Sequence, residues 1–355
     1  MSQDTDLIHA APVNRDDAPV LVEATRGPIA ESRHRGIAVI ADAKGRVLRH
    51  WGDFERPVYP RSAIKPLQAI PLVESGAADA HGVGDVELAL ACASHSGEPA
   101  HVERVAAWLA RIGCTVDDLE CGAHPPYDAA AAEALRRDGV EPTALHNNCS
   151  GKHAGFLTTA LHNGEPTDGY RHFRHPVQQR ILGVLEQMTG QDLSAAPRGL
   201  DGCSIPTIAV PLGGLAVAMA RVADPAGLPD RRAEAVLRIR RAWGAQPYFV
   251  AGSGRFDTEI ITATAGRALV KFGAEGVYCG CLPEQGLGIA VKIDDGAERA
   301  SRVAMIALLR HAGALDDAAA NALAAFARPA ITSRRGFDAG EIRPAAALAP
   351  TIIEG

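Results

Sequence analysis

The chain has 355 residues, 47% hydrophobic and 22% charged, with a formal net charge of −6, which is the make-up of an ordinary globular protein rather than a disordered one. Acids and bases are interleaved without a long run of either sign, which argues against a phosphate-neutralising groove and hence against a nucleic-acid partner. No apolar run approaches membrane-spanning length, and the polar, acidic start MSQDTDLIHAAPVNRDD is unlike a signal peptide, so a cytoplasmic location with no membrane partner is expected.

In chain order, residues 1–18 read as a flexible tail. Three strands are expected next, over Pro19–Thr25, Gly36–Ala41 and Arg46–Trp51, the last two joined by a hairpin at Asp42-Ala-Lys-Gly45. From Ser62 to about Ile239 apolar residues recur at helical spacing, as in Val102, Val105, Leu109 and in Val177, Ile181, Leu185, Met188. Strands return at Ala268–Phe272, Val277–Gly280 and Gly288–Ile293, within a strand-bearing region over 260–295. A helix is expected from Gly296 to Ala312, and the alanine-rich stretch Asp316–Phe326 is helix-forming. Strands that open and close the core around a helical insert define an α/β or α+β protein.

Seven cysteines (Cys92, Cys114, Cys121, Cys149, Cys203, Cys279 and Cys281) are scattered through a long chain. In a reducing compartment they read as buried apolar residues, metal ligands or nucleophiles rather than disulfides. Of 36 basic residues only Lys44, Lys65, Lys152, Lys271 and Lys292 are lysine. A chain that otherwise uses arginine keeps lysine where a proton must be lost, because arginine cannot lose one. Lys44, in a turn, reads as a surface residue.

Four motifs carry possible chemistry. In Tyr59-Pro-Arg-Ser-Ala-Ile-Lys65-Pro, two prolines bracket a helix start, and Ser62 and Lys65 share a face three residues apart. A lysine with a lowered pKa can take the proton of such a serine; S-x-x-K is also the arrangement of serine β-lactamases. The plainer reading is an N-cap beside a solvated lysine. Cys92-Ala-Ser94-His-Ser-Gly-Glu98 follows an apolar run and offers either inward hydroxyls or a helix cap. Leu269-Val-Lys271-Phe-Gly273 ends a strand, as Lys-x-Gly does in the same enzymes, or simply reaches solvent. Asn147-Asn-Cys149-Ser-Gly-Lys152-His153 and Leu200-Asp-Gly-Cys203 place two cysteines in polar loops. They offer a soft metal site completed by Lys152 or His153, a buried thiol, or an anion-binding turn.

Together with Val22-Glu-Ala-Thr-Arg-Gly27, Glu31-Ser-Arg-His34, Gly254-Arg-Phe-Asp-Thr258 and Lys271-Phe-Gly-Ala-Glu-Gly276, these runs resemble the class 3, asparaginase II-type L-asparaginases from about residue 19 to the C-terminus. The resemblance implies a serine β-lactamase-like fold, with residues 19–355 as one catalytic unit, and a homodimer. It implies a catalytic set of Ser62 with Lys65 and Ser94 with Lys271, and zinc held by Cys149, Lys152 and Cys203. Arg61, His153 and Asp201 are the expected substrate-binding residues, with Arg61 or His153 on the α-carboxylate of L-asparagine. On this reading Ser62 attacks the side-chain amide with Lys65 as base. Lys271 lowers the Lys65 pKa and Ser94 relays a proton to the leaving amine. The competing base is a histidine, His95 or His153. Competing functions are another serine–lysine amidase or esterase and a non-catalytic, zinc-dependent amino-acid-binding protein.

Overall fold

The computed structural model describes residues 18–349. Apart from Ala18, the expected tail lies outside them; Ala18 is buried, and its carbonyl accepts a hydrogen bond from Arg35 Nη1 at 3.0 Å.

Among the described residues, strands from both ends of the chain build one eight-stranded sheet, antiparallel throughout. The N-terminal strands are β1 (Val20–Arg26), β2 (Ile29–Asp42) and β3 (Val47–Trp51). The C-terminal ones are β4 (Leu269–Gly273), β5 (Val277–Leu282), β6 (Leu287–Ile293), β7 (Ala330–Thr332) and β8 (Asp338–Pro344). Their order is β7-β8-β1-β2-β6-β5-β4, with β3 alongside β2, so β4 is an edge strand. The β2–β3 hairpin closes where expected: the Asp42 carboxylate accepts from the amides of Lys44 and Arg46, each at 3.0 Å.

Between the two sets of strands lie the helices, principally α1 (Asp85–Ala91), α2 (Pro99–Arg111), α3 (Ser150–His162), α4 (Pro176–Thr189), α5 (Leu212–Ala223), α6 (Asp230–Ala245) and α7 (Phe256–Ala263). Helix α8 (Glu298–His311) follows β6. An antiparallel sheet built from both ends of the chain around an inserted helical region is the architecture expected from the sequence. Four details differ. Strand β2 begins seven residues earlier than expected, residues 260–263 are helix rather than strand, β7 and β8 were not anticipated, and the alanine-rich stretch forms two short helices, Asp317–Ala322 and Ala324–Ala327.

Side-chain alternation along the strands makes two cores. Ile37, Val39 and Ala41 of β2, with Cys279 and Cys281 of β5, face the helical insert. Ala38 and Ile40, with Tyr278, Ile289 and Val291, face α8. Helix α5, nearly all apolar, is buried along almost its whole length between the sheet and the outer helices. The same period of two decides what β4 presents. Leu269 and Lys271 face the helical insert, while Val270 and Phe272 belong with the α8 side.

Strand β4 ends against the turn that carries Ser62. A Cβ on Gly273 would lie 2.7 Å from the Pro60 carbonyl oxygen and 3.1 Å from Ala63 Cβ, so only glycine permits this approach. Gly273→Ala should therefore lower stability by about 1–3 kcal/mol, the usual cost of overpacking. Gly183→Ala, in mid-helix with nothing within 4 Å of the added carbon, should instead stabilise by up to about 1 kcal/mol. Urea denaturation of both variants checks the contrast.

Candidate active site

The Ser62 turn is a 3₁₀ segment, Arg61–Ile64, running into the short helix Lys65–Gln68, with Pro66 at a position where no helical N–H is needed. Arg61 adopts φ +51°, a left-handed conformation uncommon for a side-chain-bearing residue. It is tied down by Asp201, whose Oδ1 accepts from Arg61 Nε at 3.0 Å and Nη2 at 2.8 Å. Burial alone would raise the Asp201 carboxyl, but the bonds from Arg61 and the charge of Lys152 hold it below its ordinary value. Ala63 and Ile64 anchor the turn in the core, and Ser62 is left at the wall of a cavity of about 500 Å³.

Two lysines meet on one buried hydroxyl. Lys65 Nζ donates to Ser94 Oγ at 2.9 Å and to the Ala93 carbonyl at 2.5 Å. Lys271 Nζ donates to Ser94 Oγ at 3.0 Å and to the Phe272 carbonyl at 3.0 Å. All three side chains are at most 2% exposed. The sequence pairs Ser62 with Lys65 and Ser94 with Lys271; in the fold both amines converge on Ser94, and the Ser62 hydroxyl has no side-chain hydrogen bond among the described residues. Burial, above all, draws Lys271 down to about 8. The Asp257 carboxylate, 3.6 Å from its amine, works against that shift, while the charges of Lys65 and Arg255 add to it. Asp257 is itself fully engaged, accepting from Tyr278 Oη at 2.6 Å and the Phe272 amide at 3.0 Å.

A third lysine belongs to a sulfur cluster. Cys149 opens helix α3, its amide bonded to Asn147 Oδ1 at 2.9 Å. One turn on, Lys152 Nζ donates to Cys203 Sγ at 3.0 Å. The Cys203 thiol beside it, aided by the charges of Lys152 and Lys65, holds the Cys149 thiol well below its ordinary value despite burial. Burial disfavours charge on Lys152, but the two sulfurs and Asp201 win and keep it protonated. Cys149, Cys203, Arg61 and Asp201 all line the Ser62 cavity.

The two histidines lie elsewhere. His153 is fully buried, bonds Tyr170 Oη through Nδ1 at 2.7 Å, and is not among the residues lining the cavity. His95 accepts from the Gly97 amide at Nδ1 and meets Ser150 Oγ at Nε2, 2.9 Å away; Ser150 in turn donates to the Leu145 carbonyl. Burial pushes both imidazoles well below their ordinary value and so favours the neutral form.

A model of the L-asparaginase II family matches residues 22–344. The chain belongs to the L-asparaginase II family. Solved structures that align with it include a β-lactamase of Mycobacterium bovis, at 16% identity over 82% of this chain and 95% of that one with a TM-score of 0.37. The simvastatin synthase of Aspergillus terreus aligns at 11% identity over 75% and 90%, with a TM-score of 0.36. No curated protein matches the sequence significantly. Family membership and the two amines gathered on Ser94 make this L-asparaginase II family member a serine–lysine hydrolase.

Three residues that the sequence reading did not single out complete the site: Asp257, Arg255 and Glu98. Asp257 and Arg255 stand in the Gly254-Arg-Phe-Asp run that carried the family resemblance, where only their side-chain chemistry pointed to a role. Glu98 braces the loop before Arg255, accepting from Ser96 Oγ (2.7 Å), Ser253 Oγ (2.8 Å), the Ser253 amide (2.9 Å) and Tyr248 Oη (3.2 Å). Burial would raise its carboxyl, but these bonds hold it below its ordinary value. A carboxylate depressed in the folded state stabilises above its unfolded pKa, and that stability is lost as pH falls through the folded value. Glu98→Gln should cost about 1–3 kcal/mol at neutral pH. Its difference from the wild type, followed by denaturant midpoints, should narrow as the pH drops below about 4.

Proposed function

We propose that the protein is an L-asparaginase, hydrolysing L-asparagine to L-aspartate and ammonia through an ester on Ser62. One observation carries this reading. Ser62 lines the cavity three residues before Lys65, and Lys65 and Lys271 both hold the buried Ser94 hydroxyl, with the Lys271 amine drawn down to about 8. Family membership supports the choice of an amide of asparagine.

In the mechanism we assign, Ser62 Oγ attacks the side-chain carbonyl carbon. Its proton passes through the Ser94 hydroxyl to Lys271, whose amine is drawn down to about 8, and we assign Lys271 as the base. Lys65 holds Ser94 in line from the other side. The oxyanion is received by main-chain amides of Ser62 and Ala274, which share the cavity. The C–N bond breaks as the proton returns through Ser94 to the nitrogen, and ammonia leaves. Water then attacks the ester carbon, gives its proton to the same base, and the C–O bond breaks with return of that proton to Ser62.

The sulfur cluster fits zinc. Two thiols lining one cavity and an amine 3.0 Å from one of them form a soft S₂N donor set. Among the described residues no group of three or more His, Cys, Asp or Glu side chains is gathered for a metal, so Lys152 is needed as the third donor. When bound, zinc would hold both sulfurs as thiolates and Lys152 neutral, and set a positive charge beside the cavity. The family resemblance further supports a cytoplasmic homodimer.

Purified protein should release ammonia from L-asparagine, with kcat rising through about pH 8 as Lys271 deprotonates. Ser62→Ala, Lys65→Met and Lys271→Met should each abolish most turnover while remaining folded. Asp257→Asn removes the carboxylate that holds the Lys271 pKa up, so its rise should move to lower pH. A wild-type plateau by about pH 7.5 that disappears in His95→Gln or His153→Gln would sink the lysine base.

Metal analysis should find about one zinc per chain, as a three-ligand protein site implies. The double variant Cys149→Ser/Cys203→Ser should be metal-free; full zinc in it would place the metal elsewhere.

A further inference from the structure

Three arginines line the Ser62 cavity, and two have carboxylate partners. Arg61 is held by Asp201, and Arg302 by Glu298 one helical turn away. Arg255 differs. Among the described residues its guanidinium has no carboxylate partner; its neighbour is the ring of Tyr127, with the centroid at 5.9 Å. A cation left unpaired at a partly buried wall is a site for an anion from outside. His153, the other expected carboxylate holder, is sealed against Tyr170 and does not reach the cavity.

Arg255 is also built into place. The loop before it turns at Gly252, whose φ of +124° suits glycine alone and where a Cβ would lie 1.8 Å from Ser96 Oγ and 2.7 Å from Glu98 Oε1. Ser253 is pinned to Glu98 by its amide and its hydroxyl. Immediately after Arg255, helix α7 begins, and its second residue, Asp257, is the ion-pair partner of Lys271. One rigid segment therefore presents a guanidinium to the cavity and a carboxylate to the catalytic lysine. Arg255 and Ser62 line the same cavity, so an amino acid held there could bridge anchor and nucleophile.

We infer that Arg255 anchors the α-carboxylate of the substrate and confines the site to amides that carry a free carboxylate. This rests on the asparaginase reading and adds the group that recognises the substrate's backbone end. The amide of asparagine would then be directed to Ser62 by a bond at its other end, and an amide without the carboxylate would bind without a fixed orientation.

The test compares L-asparagine with 3-aminopropanamide, the same amide without its carboxylate, in wild type, Arg255→Gln and Arg255→Lys. Arg255→Gln should lose about 30- to 100-fold in kcat/KM on asparagine, mostly through KM, as expected for a lost charged hydrogen bond. Its preference for asparagine over 3-aminopropanamide should collapse, and Arg255→Lys should recover part of it. Equal losses on both substrates, or none on asparagine, would overturn the assignment. Calorimetric binding of L-aspartate supplies a readout without turnover: Arg255→Gln should weaken it by a similar factor, and unchanged binding would also overturn the anchor. If the wild type released no ammonia from asparagine, the proposed activity would fall, and L-aspartate binding alone would decide on Arg255.

Discussion

Two ammonium groups cannot both remain charged on one buried hydroxyl without a counter-charge, and the rest of the site is arranged around that constraint. In a low-dielectric interior an isolated charge is disfavoured by several kcal/mol, so one amine sheds its proton easily or finds a partner. Here both happen in part. Asp257 sits 3.6 Å from Lys271, too far for a close bond and near enough to moderate the loss of charge. The Cys149 sulfur and the Asp201 carboxylate supply negative charge on the side of Lys152. The amine poised near neutrality is thus a product of where the surrounding charges stop, as much as of burial.

Bringing those groups together takes elements from distant parts of the chain, each positioned by a close contact. Ser62 and Lys65 come from a turn pressed by Gly273 at the end of β4, so the strand that carries Lys271 also fixes the Ser62 turn. Ser94 follows helix α1, and its amide is bonded to the Val250 carbonyl, in the segment that leads to Arg255 and Asp257. The two lysines, Ser94 and the cavity wall are therefore braced against one another rather than hung on independent loops.

Much of this was legible in the sequence, and the physical reasons for the rest are specific. The period of two in Leu269-Val-Lys-Phe-Gly marks a strand with a lysine on one face, and Ser-x-x-Lys between prolines marks a helix start. The early part of β2 was hidden because its inward positions are Ala30, Ser32 and His34, which carry little hydrophobic signal. Strands β7 and β8 lie at the far edge of the sheet, where short, half-exposed segments alternate weakly. The Lys65–Ser94 bond spans 29 positions and the Lys271–Asp257 pair 14, so both depend on tertiary packing that local pattern does not encode. His153 looked available from its motif, but the helix phase of α3 turns it toward Tyr170 while Lys152 faces the sulfurs.

The scarcity of lysine has a practical side. Three of the five, Lys65, Lys152 and Lys271, are at most 2% exposed, and the Lys292 amine is bonded to two main-chain carbonyls. Lys44, in the β2–β3 turn, is exposed. Among the side chains, amine-directed coupling should thus fall on one hairpin tip. A fluorophore or resin attached there would label the molecule at a defined place and leave the amines around Ser94 and Cys203 chemically untouched.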